Sequence, residues 1–311
     1  MIYIWFFLAL IIIIKAGNVF LDNSIFVARA FKIPEFVVGT VIAGIYTILP
    51  STVIAVSSSA IFDAGLALGT CVGAAMFNIA LALPMGILFL PPRLRFTGSL
   101  KQHSVILILL AASVVLVIQR TGGIQRAAGL SLILFGISYL SYSAKKTKAS
   151  SVVCLPQGRL WTKLVILMIS GIAVFVTAHI LAECSQRIAS SLHIPTMLAG
   201  IIFTAAGTAT PSMVTCVEAF KKGAAEIAIG NALGAAILNL CFATGTAAAV
   251  NPIYVSIPPA FFTLCAVLCC AIYLYFSFLR RSRRLYRFDG VLLICMYIAF
   301  IITSAIMFST R

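Results

Sequence analysis

The chain has 311 residues, of which 62% are apolar and only 9% are charged. Soluble domains carry about 25% charged residues, so this composition excludes a soluble globular protein. Basic residues outnumber acidic ones by 22 to 7. Because the basic residues lie in short clusters between apolar stretches, we interpret them as orientation signals at a lipid bilayer. A nucleic-acid partner is not expected.

A membrane-spanning helix needs about 20 predominantly apolar residues. The chain contains ten such stretches, and the connections between them are too short to form a soluble domain. The predicted spans, in chain order, cover residues 2–28, 36–61, 65–90, 104–119, 126–143, 161–187, 196–220, 226–248, 258–279 and 289–309. This pattern predicts an all-α polytopic membrane protein.

The loops sort the basic residues between the two sides of the membrane. Alternating the ten spans places 17 of the 22 basic residues on one side and four on the other, with Lys15 inside the first span. Because basic loops stay in the cytoplasm, we expect a multi-pass protein of the cell membrane with both termini outside.

The sequence also repeats itself. Residues 34–83 align without a gap on residues 195–244, and 15 of the 50 pairs are identical. Five spans separate the two copies, so the second copy enters the membrane from the opposite side. Such inverted repeats are typical of secondary transporters, whose substrate site lies near the bilayer midplane. We therefore predict one membrane domain, 1–311, made of repeat one (1–143), a cytoplasmic linker (144–160) and repeat two (161–311).

Polar residues recur at equivalent positions of the two repeats. Pro50 and Pro211 lie in the middle of the second and seventh spans, where we expect helix breaks that line a cavity or are buried in protein. A threonine and a serine flank each proline. In the third and eighth spans, an asparagine follows the repeated glycines. The candidate substrate- or ion-binding residues are Thr47, Ser51, Asn78, Thr208, Ser212 and Asn239. The alternative is a pair of kinks with structural hydrogen bonds.

Three charged residues are candidates for a charge or gating role. Lys15 lies midway along the first span, where a charge is expensive and is a functional candidate by default. Its alternative is snorkelling towards the nearer surface. Asp22 and Glu183 are repeat equivalents near opposite faces, where ion gating and a structural role are both open.

Other kinds of site are not expected. Nine cysteines show neither a C-x-x-C pair nor a histidine partner at metal-ligand spacing, so we interpret them as packing residues. The glycines at four-residue spacing in the third and eighth spans are interpreted as helix-packing positions. Hydrolytic motifs such as HExxH are missing, so neither an enzyme nor a cofactor is predicted.

The repeats resemble those of the cation/calcium exchanger superfamily, which includes the sodium/calcium exchangers and their prokaryotic relatives. That family's pattern is roughly Gly-Thr-Ser-x-Pro-Glu, then Gly-Asn-x-x-Gly-Ser-Asn-x-x-Asn. The second copy here reads GTATPS at residues 207–212 and GNALGAAILN at residues 230–239. The first copy reads YTILPS at residues 46–51 and GTCVGAAMFN at residues 69–78. The resemblance covers essentially the whole chain and implies ten helices in two inverted five-helix repeats.

The resemblance implies a secondary active transporter that works by alternating access, with a cation antiporter as the default function. In the family, the glutamate after each proline is the main cation-binding carboxylate. Here both positions are serine, Ser51 and Ser212, and the Ser-Asn pairs are alanines. Calcium wants 6–8 oxygens and usually carboxylates, so a small monovalent cation or a small polar substrate fits the remaining residues better.

Two other functions stay open at this point. The same fold could carry an organic or anionic substrate, with Lys15 as its countercharge, or the protein could be a membrane scaffold that transports nothing. The metal, the coupling ion and the oligomeric state are not predicted from the sequence.

Overall fold

The computed structural model describes residues 2–30, 44–89, 99–146, 160–191, 194–221, 223, 225–254, 257–280 and 285–309. These residues form ten helices when a helix that passes through a π-helical turn is counted once. The helices are α1 (Ile2–Ala30), α2 (Gly44–Ala60), α3 (Ala64–Leu88), α4 (Ser99–Thr121), α5 (Arg126–Lys146), α6 (Leu160–Ser191), α7 (Thr196–Lys221), α8 (Ala225–Val250), α9 (Ile257–Arg280) and α10 (Arg287–Ser309).

Each of the ten predicted spans overlaps one of these helices. Five helices, namely α3, α4, α7, α8 and α10, are long and apolar enough to cross a membrane by their own described residues. For the other five, the membrane crossing stays a prediction. Residues 36–43 of the second predicted span and most of the predicted linker, 147–159, lie outside the described residues.

The helices α3 and α8 form the centre of the molecule. In both, 94% of the apolar span is buried, against 39% for α4 and 28% for α10. Their sequences are rich in glycine and alanine, which allow helix backbones to approach closely. A Cβ atom added at Gly69 would lie 2.4 Å from the carbonyl oxygen of Met197 on α7. The prediction that this glycine packs helices together is confirmed.

Equivalent positions of the two repeats make equivalent contacts. Near the end of α2, the Ser59 hydroxyl donates to the Ala247 carbonyl of α8 at 2.7 Å. The residues 161 positions away from this pair are Phe220 on α7 and Gly86 on α3. A Cβ added at Gly86 would lie 2.3 Å from the Phe220 ring, so this pair is also in contact. Each repeat thus places the end of its proline-containing helix against the central helix of the other.

Among the described residues, three helices contain a π-helical turn. The turns cover Asn78–Ala82 in α3, Gly200–Thr204 in α7 and Asn239–Ala243 in α8. Two of them begin at the repeat-equivalent asparagines that the sequence singled out. Single π-helical turns inside α-helices are rare and occur frequently at functional sites. The residues equivalent to the third turn, 39–43, lie outside the described part.

A short antiparallel pairing joins two connections. Strand β1 (Gly123–Ile124) follows α4 and pairs with β2 (Ile253–Tyr254), which follows α8. The remaining helices surround the centre: α1 packs along α6, and α4 packs along α9. Large apolar side chains are exposed on these outer helices, as expected of surfaces that face lipid.

Candidate functional site

The six candidate residues lie on the four helices that form the centre of the molecule. Both serines and threonines belong to α2 and α7, and the two asparagines belong to α3 and α8. All six side chains are buried, with exposed fractions between 0% and 4%. Because α2 and α7 both pack against α3 and α8, the fold brings the equivalent parts of the two repeats together.

One contact joins the candidate residues across the repeats. The Ser51 hydroxyl donates to the Asn239 amide oxygen at 2.6 Å. The same hydroxyl lies 2.9 Å from the Ile48 carbonyl oxygen, which is a second acceptor within its own helix. The structure therefore pairs the residue after the proline of repeat one with the asparagine that begins the π-helical turn of repeat two.

The other serine has a partner that the sequence did not identify. Repeat symmetry pairs Ser212 with Asn78, but the Asn231 amide nitrogen contacts Ser212 instead, at 2.8 Å from its hydroxyl oxygen and 3.1 Å from its carbonyl oxygen. Asn231 also lies 3.6 Å from the Cys216 sulfur. The signal for this residue was present, because Asn231 occupies the Gly-Asn position of the family pattern. The equivalent residue of repeat one is the shorter Thr70.

Four buried oxygen atoms in this region have no hydrogen-bond partner among the described residues. They belong to Asn78 and Thr70 on α3, Thr204 on α7 and Asn231 on α8. Buried polar atoms are normally paired, and each exception calls for an explanation. Amide and hydroxyl oxygens are also ligand types that a cation uses. Thr70 and Asn78 lie eight residues apart along α3, about 12 Å, so the four atoms do not surround a single point.

The two threonines donate to carbonyls of their own helices. The Thr47 hydroxyl lies 2.9 Å from the Gly44 carbonyl oxygen, and the Thr208 hydroxyl lies 2.9 Å from the Thr204 carbonyl oxygen. Each hydroxyl oxygen keeps acceptor capacity after donating its proton. The threonines are therefore placed beside the serines but are not bonded to them.

The expected helix breaks at the prolines do not occur. Helix α2 runs through Pro50 and helix α7 runs through Pro211. Side-chain hydroxyls bind carbonyls close to both prolines: Thr52 donates to Ile48 at 2.8 Å, and Thr210 donates to Ala206 at 2.6 Å. In an α-helix these two carbonyls face the backbone amides of Thr52 and Thr210. The amide that each proline lacks would bond to Tyr46 or Gly207 instead, so the hydroxyls do not replace it.

The described acidic side chains lie away from the six residues or serve other partners. Asp63 caps α3 by accepting from the Leu66 amide at 2.9 Å and from the Thr196 hydroxyl at 3.0 Å. Glu218 pairs with Lys221 at 3.4 Å near the end of α7. Asp22 and Glu183 are exposed, on α1 and α6. Glu35 lies outside the described residues, which contain no cluster of three or more His, Cys, Asp or Glu side chains that could hold a metal.

Asp289, at the start of α10, is fully buried. Its carboxylate accepts from the Tyr273 hydroxyl at 2.8 Å, the Ser277 hydroxyl at 3.2 Å and the Tyr286 amide at 2.8 Å. These donors compensate a buried carboxylate at the start of α10, so its role is to fix that helix end.

Lys15 lies outside the region of the six residues. Its side chain is exposed and lines a cavity of about 350 Å³ between α1 and α6. The other residues that line this cavity are Ile12, Ala16, Val19, Ile166, Ile169 and Ser170. None of the six candidate residues lines this cavity, so Lys15 is not placed beside them as a countercharge.

The family model described as sodium/calcium exchanger protein matches residues 1–145 and 162–306 of this chain. The chain belongs to the sodium/calcium exchanger family. Its family and fold are those of membrane transporters of the cation/calcium exchanger type. The two matched stretches lie on either side of the predicted linker.

Relatives of this exchanger-family chain extend over almost its full length. The membrane protein MJ0091 of Methanocaldococcus jannaschii is 25% identical over 304 residues, which is 94% of this chain and 95% of the relative. The sodium/calcium exchanger MaX1 of Methanosarcina acetivorans is 22% identical, with 95% of this chain and 96% of the relative covered.

A solved structure shares the fold. The sodium-calcium exchanger NCX_Mj, soaked with 2.5 mM Na⁺ and 10 mM Sr²⁺, superposes with a TM-score of 0.79 at 22% identity. The match covers 96% of this chain and 98% of that one. The predicted exchanger fold is thus confirmed. Only five of the ten helices, the five named above, are long and apolar enough in their described residues to cross a membrane.

Proposed function

We propose that this protein is a secondary active cation antiporter whose central site takes a monovalent cation rather than calcium. The site consists of the six neutral residues named from the sequence, together with Asn231 and Thr70. The observation that carries the proposal is the chemistry of the buried centre. The atoms described there that could ligate a cation are hydroxyl, amide and carbonyl oxygens, and Ser51 and Ser212 replace the carboxylates of the family pattern.

The charge balance of such a site disfavours calcium. A dication needs 6–8 oxygen ligands, and the number of carboxylates largely sets how tightly it is held. Removing its hydration shell inside a protein is expensive unless opposite charges compensate. A monovalent cation carries half the charge, so neutral oxygens replace its hydration shell at a much lower cost. The unpaired oxygens of α3, α7 and α8 are of this chemical type, although those of Thr70 and Asn78 lie too far apart along α3 to hold the same ion.

The repeat architecture supports alternating access. The two serines lie at equivalent positions, yet Ser51 bonds across the repeats and Ser212 bonds within its own repeat. A two-state site of this kind exchanges these arrangements when one repeat moves against the other, as in other inverted-repeat transporters. In the present arrangement both serines are buried, which corresponds to a state closed to both sides.

Isotope counterflow tests the proposal directly. Vesicles that contain the purified protein and are loaded with unlabelled sodium should accumulate ²²Na⁺, and loading with other alkali cations will define selectivity. The double variant Ser51→Ala, Ser212→Ala should lose most of this uptake. Thr121→Ala is the matched control, because that hydroxyl is exposed at the end of α4. Absence of counterflow for every alkali cation would contradict the proposal.

One observation favours a second candidate, a scaffold that transports nothing. The direct 2.6 Å contact between Ser51 and Asn239 closes the centre where a substrate would bind. A scaffold keeps this contact permanently, whereas an antiporter breaks it during each cycle. Counterflow by the wild-type protein distinguishes them: an antiporter exchanges ²²Na⁺ above the level of protein-free vesicles, and a scaffold does not.

A further inference from the structure

We propose that the turn between α2 and α3 anchors the protein in the interfacial layer of the membrane, with Ile61 and Phe62 inserted among the lipid glycerol groups and upper acyl chains. These two neighbouring side chains form the apolar tip of the turn and are 73% and 82% exposed. The tip lies on the predicted outer side. The proposal concerns the surface of the molecule, so it does not depend on the proposed antiport.

Phe62 occupies a backbone conformation that favours glycine. Its φ is +62°, in the left-handed region where the Cβ atom crowds the following carbonyl oxygen. The repeat equivalent of Phe62 is Gly223, whose φ is +73°. Both turns are closed by the same hydrogen bond. The Phe62 amide donates to the Ser59 carbonyl oxygen at 3.1 Å, and the Gly223 amide donates three residues back at 3.0 Å. Repeat two therefore uses the residue that this turn favours, and repeat one uses a strained phenylalanine.

The protein gives the phenyl ring little contact in return for this strain. Almost the whole Phe62 side chain is exposed, so glycine at this position would relieve the strain and lose almost no contact with the described residues. Strain of this kind persists where another interaction outweighs it. The interaction that favours phenylalanine therefore comes from outside the described chain.

The depth of the turn identifies that partner as lipid. Helix α3 (Ala64–Leu88) has 25 residues and is long and apolar enough to cross a membrane. At about 1.5 Å per residue it is about 37 Å long, whereas the hydrocarbon core is about 30 Å thick. A centred helix therefore extends about 4 Å beyond the hydrocarbon at each end, which places the preceding turn in the interfacial layer. Segments that lie in this layer bury phenylalanine and leucine side chains at the acyl-chain boundary.

The polar groups of the turn are already paired, so the tip can insert at low cost. The backbone amides of residues 61, 62 and 63 all donate to carbonyl oxygens near the end of α2. The Asp63 carboxylate accepts from the Leu66 amide at 2.9 Å and from the Thr196 hydroxyl at 3.0 Å. These bonds direct the charge towards the protein and leave the two apolar side chains at the outside. Insertion thus leaves none of these three amides without a partner.

The equivalent turn of repeat two has a different surface. Its residues 221 and 222 are lysines, where repeat one has Ala60 and Ile61. The Lys221 side chain is 49% exposed and pairs with Glu218 at 3.4 Å. The repeat fold therefore does not require an apolar tip, and the tip is particular to repeat one.

Tryptophan fluorescence in lipid vesicles tests the anchor. Phe62→Trp and, separately, Ile61→Trp are placed in the full chain after Trp5→Phe and Trp161→Phe remove the two native tryptophans. The vesicles contain phosphatidylcholine brominated either near the headgroup end or near the methyl end of its acyl chains. Both reporters should be quenched at least twofold more by the shallow bromines than by the deep ones, and iodide in the water should quench them weakly.

Leu109→Trp in the same background is the matched control. Leu109 is 64% exposed near the middle of α4, so its reporter should show the reverse preference, for the deep bromines. Strong quenching of both tip reporters by iodide and by neither lipid would place the tip in water and overturn the proposal. Shielding of both reporters from iodide and from both lipids would show that protein covers the tip, as in contact with a second copy of the chain, and would equally overturn it.

Discussion

At the scale of single residues, the two serines that follow the prolines illustrate how one repeat unit takes two arrangements. Ser51 donates across the repeats to Asn239, whereas Ser212 is contacted by Asn231 of its own repeat. The difference follows from side-chain reach: the residue equivalent to Asn231 is Thr70, whose hydroxyl is too short to replace an amide. Repeat one therefore leaves Ser51 available to the opposite half.

Removing the Ser51 hydroxyl should destabilise the protein. In Ser51→Ala the amide oxygen of Asn239 loses its donor while remaining buried, and an unsatisfied buried acceptor costs about 1–3 kcal/mol. Thermal unfolding in detergent measures this loss. Thr52→Ala is the control, because Thr52 bonds only to Ile48 within α2. Equal destabilisation by the two variants would show that the contact across the repeats contributes nothing.

Restoring the family's carboxylates should restore calcium binding. In the double variant Ser51→Glu, Ser212→Glu, two negative charges return to a scaffold whose remaining oxygens are in place. Calorimetry should detect calcium binding that is undetectable in the wild type, because carboxylates compensate the dehydration of a dication. The neutral variant Ser51→Gln, Ser212→Gln has the same size without the charges. If it binds calcium equally well, charge is not what the native site lacks.

Sequence reasoning at this scale identified the buried residues but not their pairing. Thr47, Ser51 and their equivalents were recognisable because the repeat aligns them at the same distance from a proline. Their hydrogen-bond partners depend on which side chain is long enough at a packed helix interface, and no spacing rule encodes that. The hydrogen bonds of Asp289 likewise depend on tertiary packing: its donors come from α9 and from the residue before α10.

At the scale of helices, the close approach of α3 and α7 depends on glycine. A side chain at Gly69 would place its Cβ 2.4 Å from the Met197 carbonyl oxygen, which belongs to backbone and cannot move aside like a flexible side chain. Overpacking of this kind costs typically about 1–3 kcal/mol. The two helices can therefore approach this closely only because residue 69 has no side chain.

Gly69→Ala should consequently lower the thermal unfolding midpoint and impair transport, since α7 must shift away from the central helix. Gly171→Ala in α6 is the matched control, because its new Cβ would lie 3.7 Å from the Phe20 ring, an ordinary contact distance. The two variants make the same chemical change in helices of the same protein. A larger effect at Gly171 would contradict the packing account.

Hydropathy predicted the helices well, and helix-internal geometry could not be predicted. The spans followed from local composition, which determines where a chain can remain in lipid. The π-helical turns at Asn78 and Asn239 add one residue to a helical turn. They do not change the apolar composition of the helix, so no sequence pattern predicted them. Conversely, the prolines suggested breaks, but α2 and α7 run through them.

At the scale of the whole molecule, the distribution of basic residues predicts orientation. Seventeen of the 22 lysines and arginines lie on one side if the ten spans alternate. That side should be the cytoplasm, with both termini outside. The fold alone does not determine which loops face the cytoplasm, because an inverted-repeat fold looks similar from both sides of the membrane.

Cysteine labelling in a cysteine-free background tests this orientation. A membrane-impermeant maleimide applied to intact cells should label Gln125→Cys, which is exposed between β1 and α5 on the predicted outer side. Lys101→Cys, exposed near the start of α4 and before the predicted span 104–119, should be labelled only after the membrane is permeabilised. The reverse pattern would show that the protein is inserted the other way round.

The central claim is that an exchanger fold whose centre lacks carboxylates moves a monovalent cation and not calcium. Parallel uptake of ²²Na⁺ and ⁴⁵Ca²⁺ into the same preparation of protein-containing vesicles, under an outward sodium gradient, measures this most directly. The account predicts saturable sodium counterflow that Ser51→Ala, Ser212→Ala abolishes, and calcium uptake no greater than in protein-free vesicles. Saturable calcium uptake at micromolar concentrations would contradict it.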